Sequence, residues 1–321
     1  MKKIGIIFPE PLFKQRIWGG NQIGERFGYP IEGERIGECW AISAHPEGDC
    51  PLRALYDTEG EKIPTKEMTL SGLWDQDRES FGSYPSSGFP LLVKIIDAKE
   101  DLSIQVHPDD EYANRYKKGE RGKTECWLVL DCEREGSIIV GHHAKSRKEL
   151  AELISEKRWS DLIREVPIRK GDFFQIDAGC LHAIKGGTLL LEIQQSSDLT
   201  FRVYDYDRLS EGKPRELHLK ESLACISVPY EEAAQSCEWA ETEFGSRIHY
   251  IDAKYYSFYQ LRIEREALLE FDSYFTCASV LEGEGQIDRI PIKKGDHFII
   301  TKHKKSAKFK GQLEIAFSNP N

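Results

Sequence analysis

The chain has 321 residues, 40% apolar and 31% charged, which allows one large domain or two with a substantial core and excludes a disordered chain. A formal charge of -10 at pH 7 argues against general attraction to nucleic acid or an anionic membrane. It leaves room for an anionic small molecule held by a few pocket Lys and Arg side chains. No apolar run reaches the roughly 20 residues that a membrane-spanning helix needs.

In chain order, the first predicted element is a strand. Lys2 and Lys3 form a basic tip, but Pro9 and Glu10 stop the apolar stretch from Ile4 to Phe8 too early for a secretory signal, so a cytoplasmic location is expected. Short β-runs bounded by Gly, Pro and Asp follow: LLVKII at 91–96, SIQVH at 103–107, CWLVL at 126–130 and TLLLEI at 188–193. Between them, residues 146–164 place Leu150, Leu153, Ile154, Trp159, Leu162 and Ile163 near helical spacing, with Ser146 as the cap. A second helix is expected over 216–226. The eight cysteines, at 39, 50, 126, 132, 180, 225, 237 and 277, include no C-x-x-C pair and are expected to be buried free thiols.

An internal repeat organises the chain. PIRKGDFFQI at 167–176 returns as PIKKGDHFII at 291–300, differing only at Arg169/Lys293, Phe173/His297 and Gln175/Ile299. Each copy leads on to a glycine-bounded strand, after Gly187 and after Gly311. Two related β-barrels are therefore expected, the second without the polar site of the first. The expected division is 1–209 with a small helical excursion at about 145–165, a partly helical link over 210–246, and a second barrel over 247–321.

The residues that carry chemistry fall in the first copy. In a strand, Gln105 and His107 share one face, and a polar pair inside a barrel is unfavourable unless something binds it. Lys123 and Glu125 likewise share a face. His182 follows Ala178-Gly179, where a glycine can bend the backbone and turn the ring inward. Alone, each is more often a surface or hydrogen-bonded residue. Their order, Q-x-H, then an acidic residue about one hairpin later, then G-D-x5-A-G-x2-H, is the ligand pattern of the cupin barrel. Such a set suits zinc, and also iron or manganese.

The runs RIWGG at 16–20, SIQVHP at 103–108, GKTE at 122–125, AGCLHA at 178–183, and EIQQSSD at 192–198 leading to Arg202 resemble type I mannose-6-phosphate isomerases. The YDYDR run at 204–208 resembles the short bacterial form, and the likeness covers nearly the whole chain. It implies a mainly β fold of two cupin (jelly-roll-like) β-barrels with a few short helices. It also implies one Zn2+ per chain, held by His107, Glu125, His182 and Gln105, and a catalytic Arg202. Only about sixty residues separate Glu125 from His182, so the helical domain that longer relatives insert there is reduced to a small excursion. Gln105 is a ligand that some short relatives lack.

The implied reaction interconverts mannose 6-phosphate and fructose 6-phosphate, moving a proton between adjacent carbons through an enediolate. Glu192 and Lys123 are both candidates for the base, having tunable pKa values, whereas a guanidinium is a poor proton acceptor. Ser103, Lys94 and Arg16 are expected near the phosphate, and Trp18 packs near the site. His45, His142 and His143 fall outside the ligand positions and are expected to be structural or surface residues. An oxygenase and a non-catalytic sugar-phosphate sensor are the rival readings. A monomer or a homodimer is expected.

Overall fold

The structure is a computed structural model that describes residues 2–65, 67–210, 212–233 and 237–321. The chain is mainly β with short helices, as expected. Its first unit is a sandwich of two antiparallel sheets. One contains, in order, Phe173–Ile176, Glu125–Cys132, Thr188–Gln195 and Leu91–Ala98, followed by Leu12–Gly20 and Ile36–Ile42, which pair with each other and with Leu91–Ala98. The other runs Ile163–Pro167, Ser137–His142, His182–Ile184, Ile104–Val106 and Phe201–Tyr204. The sandwich stays open: among the described residues no hydrogen-bonded pairing joins the two sheets into a closed barrel.

Both faces of these sheets are covered, which explains the near-continuous apolar strands. Every residue of Thr188–Gln195 is buried. Leu189, Leu191 and Ile193 face outward against Tyr256, Phe258 and Ile299 of the second unit, whereas Leu190 faces inward to Trp127, Ile138 and Val140. On the far side, Ile104, Val106, Phe201 and Val203 pack against Leu150, Leu153 and Ile154 of a helix, and against Ile226.

The second unit is built on an 11-stranded sheet that includes Gly245–Asp252, Tyr256–Ile263, Ser306–Pro320, Thr276–Ile287 and His297–Ile300. Ile4–Pro9 and Leu52–Asp57 extend this same sheet, with Ile6 opposite Ile300. The sheet thus takes strands from both sides of residue 210. Its interior is apolar, with Phe8, Val280, Phe298, Phe309 and Phe317 all buried. Among the described residues no helix is long and apolar enough to cross a membrane.

The repeat is visible as one turn made twice. Gly171 N–H donates to Val129 O at 2.8 Å, and Val129 N–H donates to Asp172 O at 2.9 Å. In the second copy Gly295 N–H donates to Val280 O at 3.0 Å, and Val280 N–H to Asp296 O at 2.9 Å. Each Asp carboxylate then accepts the N–H three residues back, Arg169 and Lys293, at 2.8 Å. Gly171 and Gly295 both have positive φ, 93° and 88°. A Cβ at 171 meets open space, but one at 295 lies 3.0 Å from Phe27 O. Gly171→Ala should therefore cost roughly 1–2 kcal/mol from the left-handed backbone alone. Gly295→Ala should cost about 1–3 kcal/mol more, because Phe27 must also move. Urea denaturation of both variants checks this, and equal losses would remove the steric part.

One expected helix is shorter than predicted. Residues 146–164 form Arg147–Ser155 and a single turn, Trp159–Leu162, and the chain becomes a strand from Ile163. Ser146 does cap the first helix, accepting Glu149 N–H at 3.2 Å. Lys157 then adopts φ 55°, and Arg158 N–H reaches back to Leu153 O at 2.9 Å, closing the helix as a Schellman-type end. The apolar spacing continues past this break because Trp159 and Leu162 belong to the next turn. The later helix, expected over 216–226, covers Leu219–Cys225. All eight cysteines are free thiols.

Candidate metal centre and substrate cavity

Strand register sets out two rows of side chains. On the five-stranded sheet, Gln105 lies opposite His182 on one neighbouring strand and opposite Arg202 on the other. On the six-stranded sheet, Lys94 lies opposite both Trp40 and Glu192, and Glu192 lies opposite Trp127. Directly opposed residues share a face, so each row presents its side chains together.

His107, Glu125 and His182 meet where the sheets converge. Their ligand atoms all lie within 4.8 Å of one another, and all three residues are buried. Glu125 Oε1 is 3.5 Å from His182 Nε2, and Oε2 is 3.6 Å from His107 Nε2. Both rings are fixed from behind. His107 Nδ1 bonds Leu199 O, and His182 Nδ1 bonds Cys180 O, each at 2.9 Å. A carbonyl accepts only, so Nδ1 must carry the proton and Nε2 presents a lone pair. Gly179, at φ 89°, donates its N–H to His107 O at 2.8 Å and so ties the two histidine segments together.

Electrostatics agree with this tautomer assignment. Burial pushes the His182 imidazole down to about 4 and His107 well below its usual value, so both are neutral near pH 7. Burial, followed by the Glu192 carboxylate, pushes Glu125 up to about 7. Two imidazole lone pairs face Glu125, which is a carboxylate once ionised, and Glu125 Oε1 accepts no hydrogen bond. Such a set is repulsive without a cation. Lys123 Nζ relieves part of it, 2.5 Å from Glu125 Oε2 and 2.9 Å from His107 Nε2. Two nitrogens and a carboxylate oxygen fit a divalent transition metal. The Gln105 amide nitrogen, 3.4 Å from His182 Nε2, places a fourth polar side chain at the cluster.

Beside the cluster is a cavity of about 400 Å³. Arg16, Lys94, Ser103, Gln105, Lys123, Glu192 and Arg202 all line it, together with Trp18. Every other expected site residue thus lies on one wall or another of the same space. Glu192 accepts from Trp127 Nε1 and sits against Lys94 Nζ, both at 3.2 Å. Glu38 accepts from Arg16 and from Trp40 Nε1, each at 2.8 Å. Burial opposes ionisation of both carboxylates, yet Lys94 with Lys123 holds Glu192 below the usual range, and Lys94 with Arg16 does so for Glu38. The Lys94 ammonium is raised in turn by Glu192 and Glu38, which outweigh its own burial. Arg16, Glu38, Lys94 and Glu192 thus form a line of alternating charge.

Arg202 differs from these. Its buried Nε has no acceptor, and the side chain has no ion-pair partner among the described residues. Glu38, Asp198, Thr200 and Arg215 also line the cavity and were not singled out from the sequence. The remaining histidines lie elsewhere: His45 packs edge-on to Trp40, His142 bonds Ser227 O at 2.8 Å, and His143 is exposed.

Comparison with known proteins gives the same picture. The model for the phosphomannose isomerase type I catalytic domain matches residues 8–128, and that for the mannose-6-phosphate isomerase cupin domain matches 246–320. Mannose-6-phosphate isomerase ManA of Bacillus subtilis is 42% identical over 319 residues, covering 98% of each chain. A mannose-6-phosphate isomerase of Streptococcus mutans is 39% identical, covering 97% of this chain and 99% of that protein. A crystal structure of mannose 6-phosphate isomerase from Bacillus subtilis superposes with a TM-score of 0.93 over 98% of this chain and 99% of that one, at 42% identity. With the fold, both domain models and full-length relatives in agreement, the chain belongs to the type I mannose-6-phosphate isomerase family.

Proposed function

We propose that this chain interconverts mannose 6-phosphate and fructose 6-phosphate at one zinc ion held by His107, Glu125 and His182, with Gln105 as fourth ligand. One observation carries the reading: two neutral imidazole lone pairs and a carboxylate converge beside a cavity lined by cations. When bound, zinc would polarise the sugar carbonyl and balance charge on the enediolate oxygens, without redox chemistry of its own.

The chain's own residues divide the remaining work. Glu192 is the base in this reading, because its carboxylate is held ionised and lines the cavity. It takes the proton from C2 of the aldose and returns it to C1, while the O2 hydroxyl proton passes to O1, so the net change is a shift of two hydrogens within one molecule. Lys123, between His107 and Glu125, donates a hydrogen bond toward the sugar oxygens. Arg202 offers fixed positive charge with no direct carboxylate partner among the described residues, suited to an enediolate. Ser103 and Arg16 line the cavity and are placed at the phosphate; Lys94 joins them, although its ammonium is already engaged by Glu192.

Arg202→Ala should lower kcat by about 10²–10³-fold while metal content stays at parent level. A coupled assay for fructose 6-phosphate with metal analysis checks this, and near-normal turnover would reduce Arg202 to a packing role. A cytoplasmic location fits the eight free thiols. The reading holds for a monomer or a homodimer, since every proposed site residue comes from one chain.

A further inference from the structure

We propose that Arg215, gripped by Asp205, joins Arg16 as a second guanidinium for the substrate phosphate, which makes Asp205 a positioning residue for substrate recognition. The proposal rests on the isomerase reading above and adds to it a recognition device.

Asp205 is buried just beyond the strand that carries Arg202. Its carboxylate grips Arg215 in the planar, two-point manner that suits a guanidinium: Arg215 Nε meets Oδ2 at 2.7 Å, and a terminal nitrogen meets Oδ1. The same Oδ1 accepts from Arg208 at 2.6 Å. Arg208 is otherwise occupied, bonding Asp101 O and stacking over the Tyr206 ring at 5.1 Å. Arg215 instead lines the cavity.

The backbone on either side of Arg215 is fastened. Before it, Lys213–Pro214 pairs with Leu209–Ser210. After it, His218 N–H donates to Arg202 O at 2.8 Å, and Arg202 N–H donates to His218 Nδ1 at 3.3 Å. The guanidinium is thus presented from a short span tied at one end to Leu209–Ser210 and at the other to the strand that carries Arg202.

Charge gives the grip a purpose. Arg16 and Lys94 each have a carboxylate partner, Glu38 and Glu192. Around Arg202 the balance is different. Arg208 and Arg215 share the single carboxylate of Asp205, while Arg202 has no ion-pair partner among the described residues and feels Asp205 and Asp198 only at longer range. Like charges gathered at a partly desolvated wall repel, and a doubly charged phosphate relieves that repulsion. The guanidinium groups at this wall meet the negative charge that a sugar phosphate carries and a neutral sugar lacks.

The test uses purified full-length Arg215→Ala and Asp205→Asn with mannose 6-phosphate as substrate and inorganic phosphate as competing probe. Arg215→Ala should raise KM by about 10- to 100-fold and weaken phosphate inhibition by a similar factor, the range for losing charged hydrogen bonds. Its kcat should stay within about threefold of the parent, because no reacting atom loses a partner. Asp205→Asn should move KM and phosphate inhibition in the same direction by a smaller factor, which a purely structural role would not do. KM and phosphate inhibition within about twofold of the parent, or a fall in kcat alone, would overturn the proposal. If the parent chain shows no isomerisation, the isomerase reading fails instead. Calorimetric titration with phosphate then still decides on Arg215: weaker binding by Arg215→Ala supports it, and equal affinity refutes it.

Discussion

His182→Ala should release the metal and lower isomerisation by at least about a thousandfold, while leaving the fold intact. The expectation follows from how the ring is held. Its Nδ1 is satisfied by Cys180 O, so Nε2 is free to serve as a ligand and forms no other interaction that the fold needs. Removing it leaves one imidazole, one carboxylate and the weakly donating Gln105 amide, too few strong donors for a retained transition metal. The fold keeps its core, since the two large apolar clusters contain none of the three ligand residues. Metal stoichiometry, a coupled assay and circular dichroism on one preparation separate the effects. Unchanged stoichiometry would remove His182 from the ligand set.

Lys94→Met should destabilise the protein by about 3–5 kcal/mol, the usual result of removing one member of a buried ion group. Lys94 is the cation between Glu192 and Glu38, and its side chain is only 3% exposed. In the parent both carboxylates are held below their usual range. Their contribution to stability is therefore present above an unfolded carboxylate pKa of about 4.3, and is lost as pH falls through the lower folded values. In the variant, burial acts with less opposition and pushes both carboxylates up. The sign then reverses: the carboxylates destabilise the folded state at neutral pH, and the deficit against the parent shrinks as pH falls toward 5. Urea unfolding of both proteins at pH 7 and pH 5 tests this. A variant as stable as the parent at pH 7, or a deficit that grows on acidification, would contradict the charge line described above.

The meeting of His107, Glu125 and His182 was legible because these residues sit at or beside strand positions whose face is set by alternation, and because their order in the chain is distinctive. The repeat was legible because Lys-Gly-Asp encodes a complete turn, with a left-handed glycine and an Asp that accepts its own hairpin's N–H. Less legible were features created by pairing between distant segments. Glu38 becomes a cavity residue only because Ile36–Ile42 lies against Leu91–Ala98. Arg215 acquires a role only through Asp205. The sheet linking Ile4–Pro9 with His297–Ile300 joins opposite ends of the chain, and no local pattern announces it. The helix over 146–164 was overextended because apolar spacing survives a break that one left-handed residue, Lys157, introduces.

The most direct measurement is stripping the protein with a chelator and then titrating zinc back while following both bound metal and conversion of mannose 6-phosphate. The stripped protein should be folded and inactive, regaining full turnover as bound zinc approaches one ion per chain. Full turnover by the metal-free protein would contradict this.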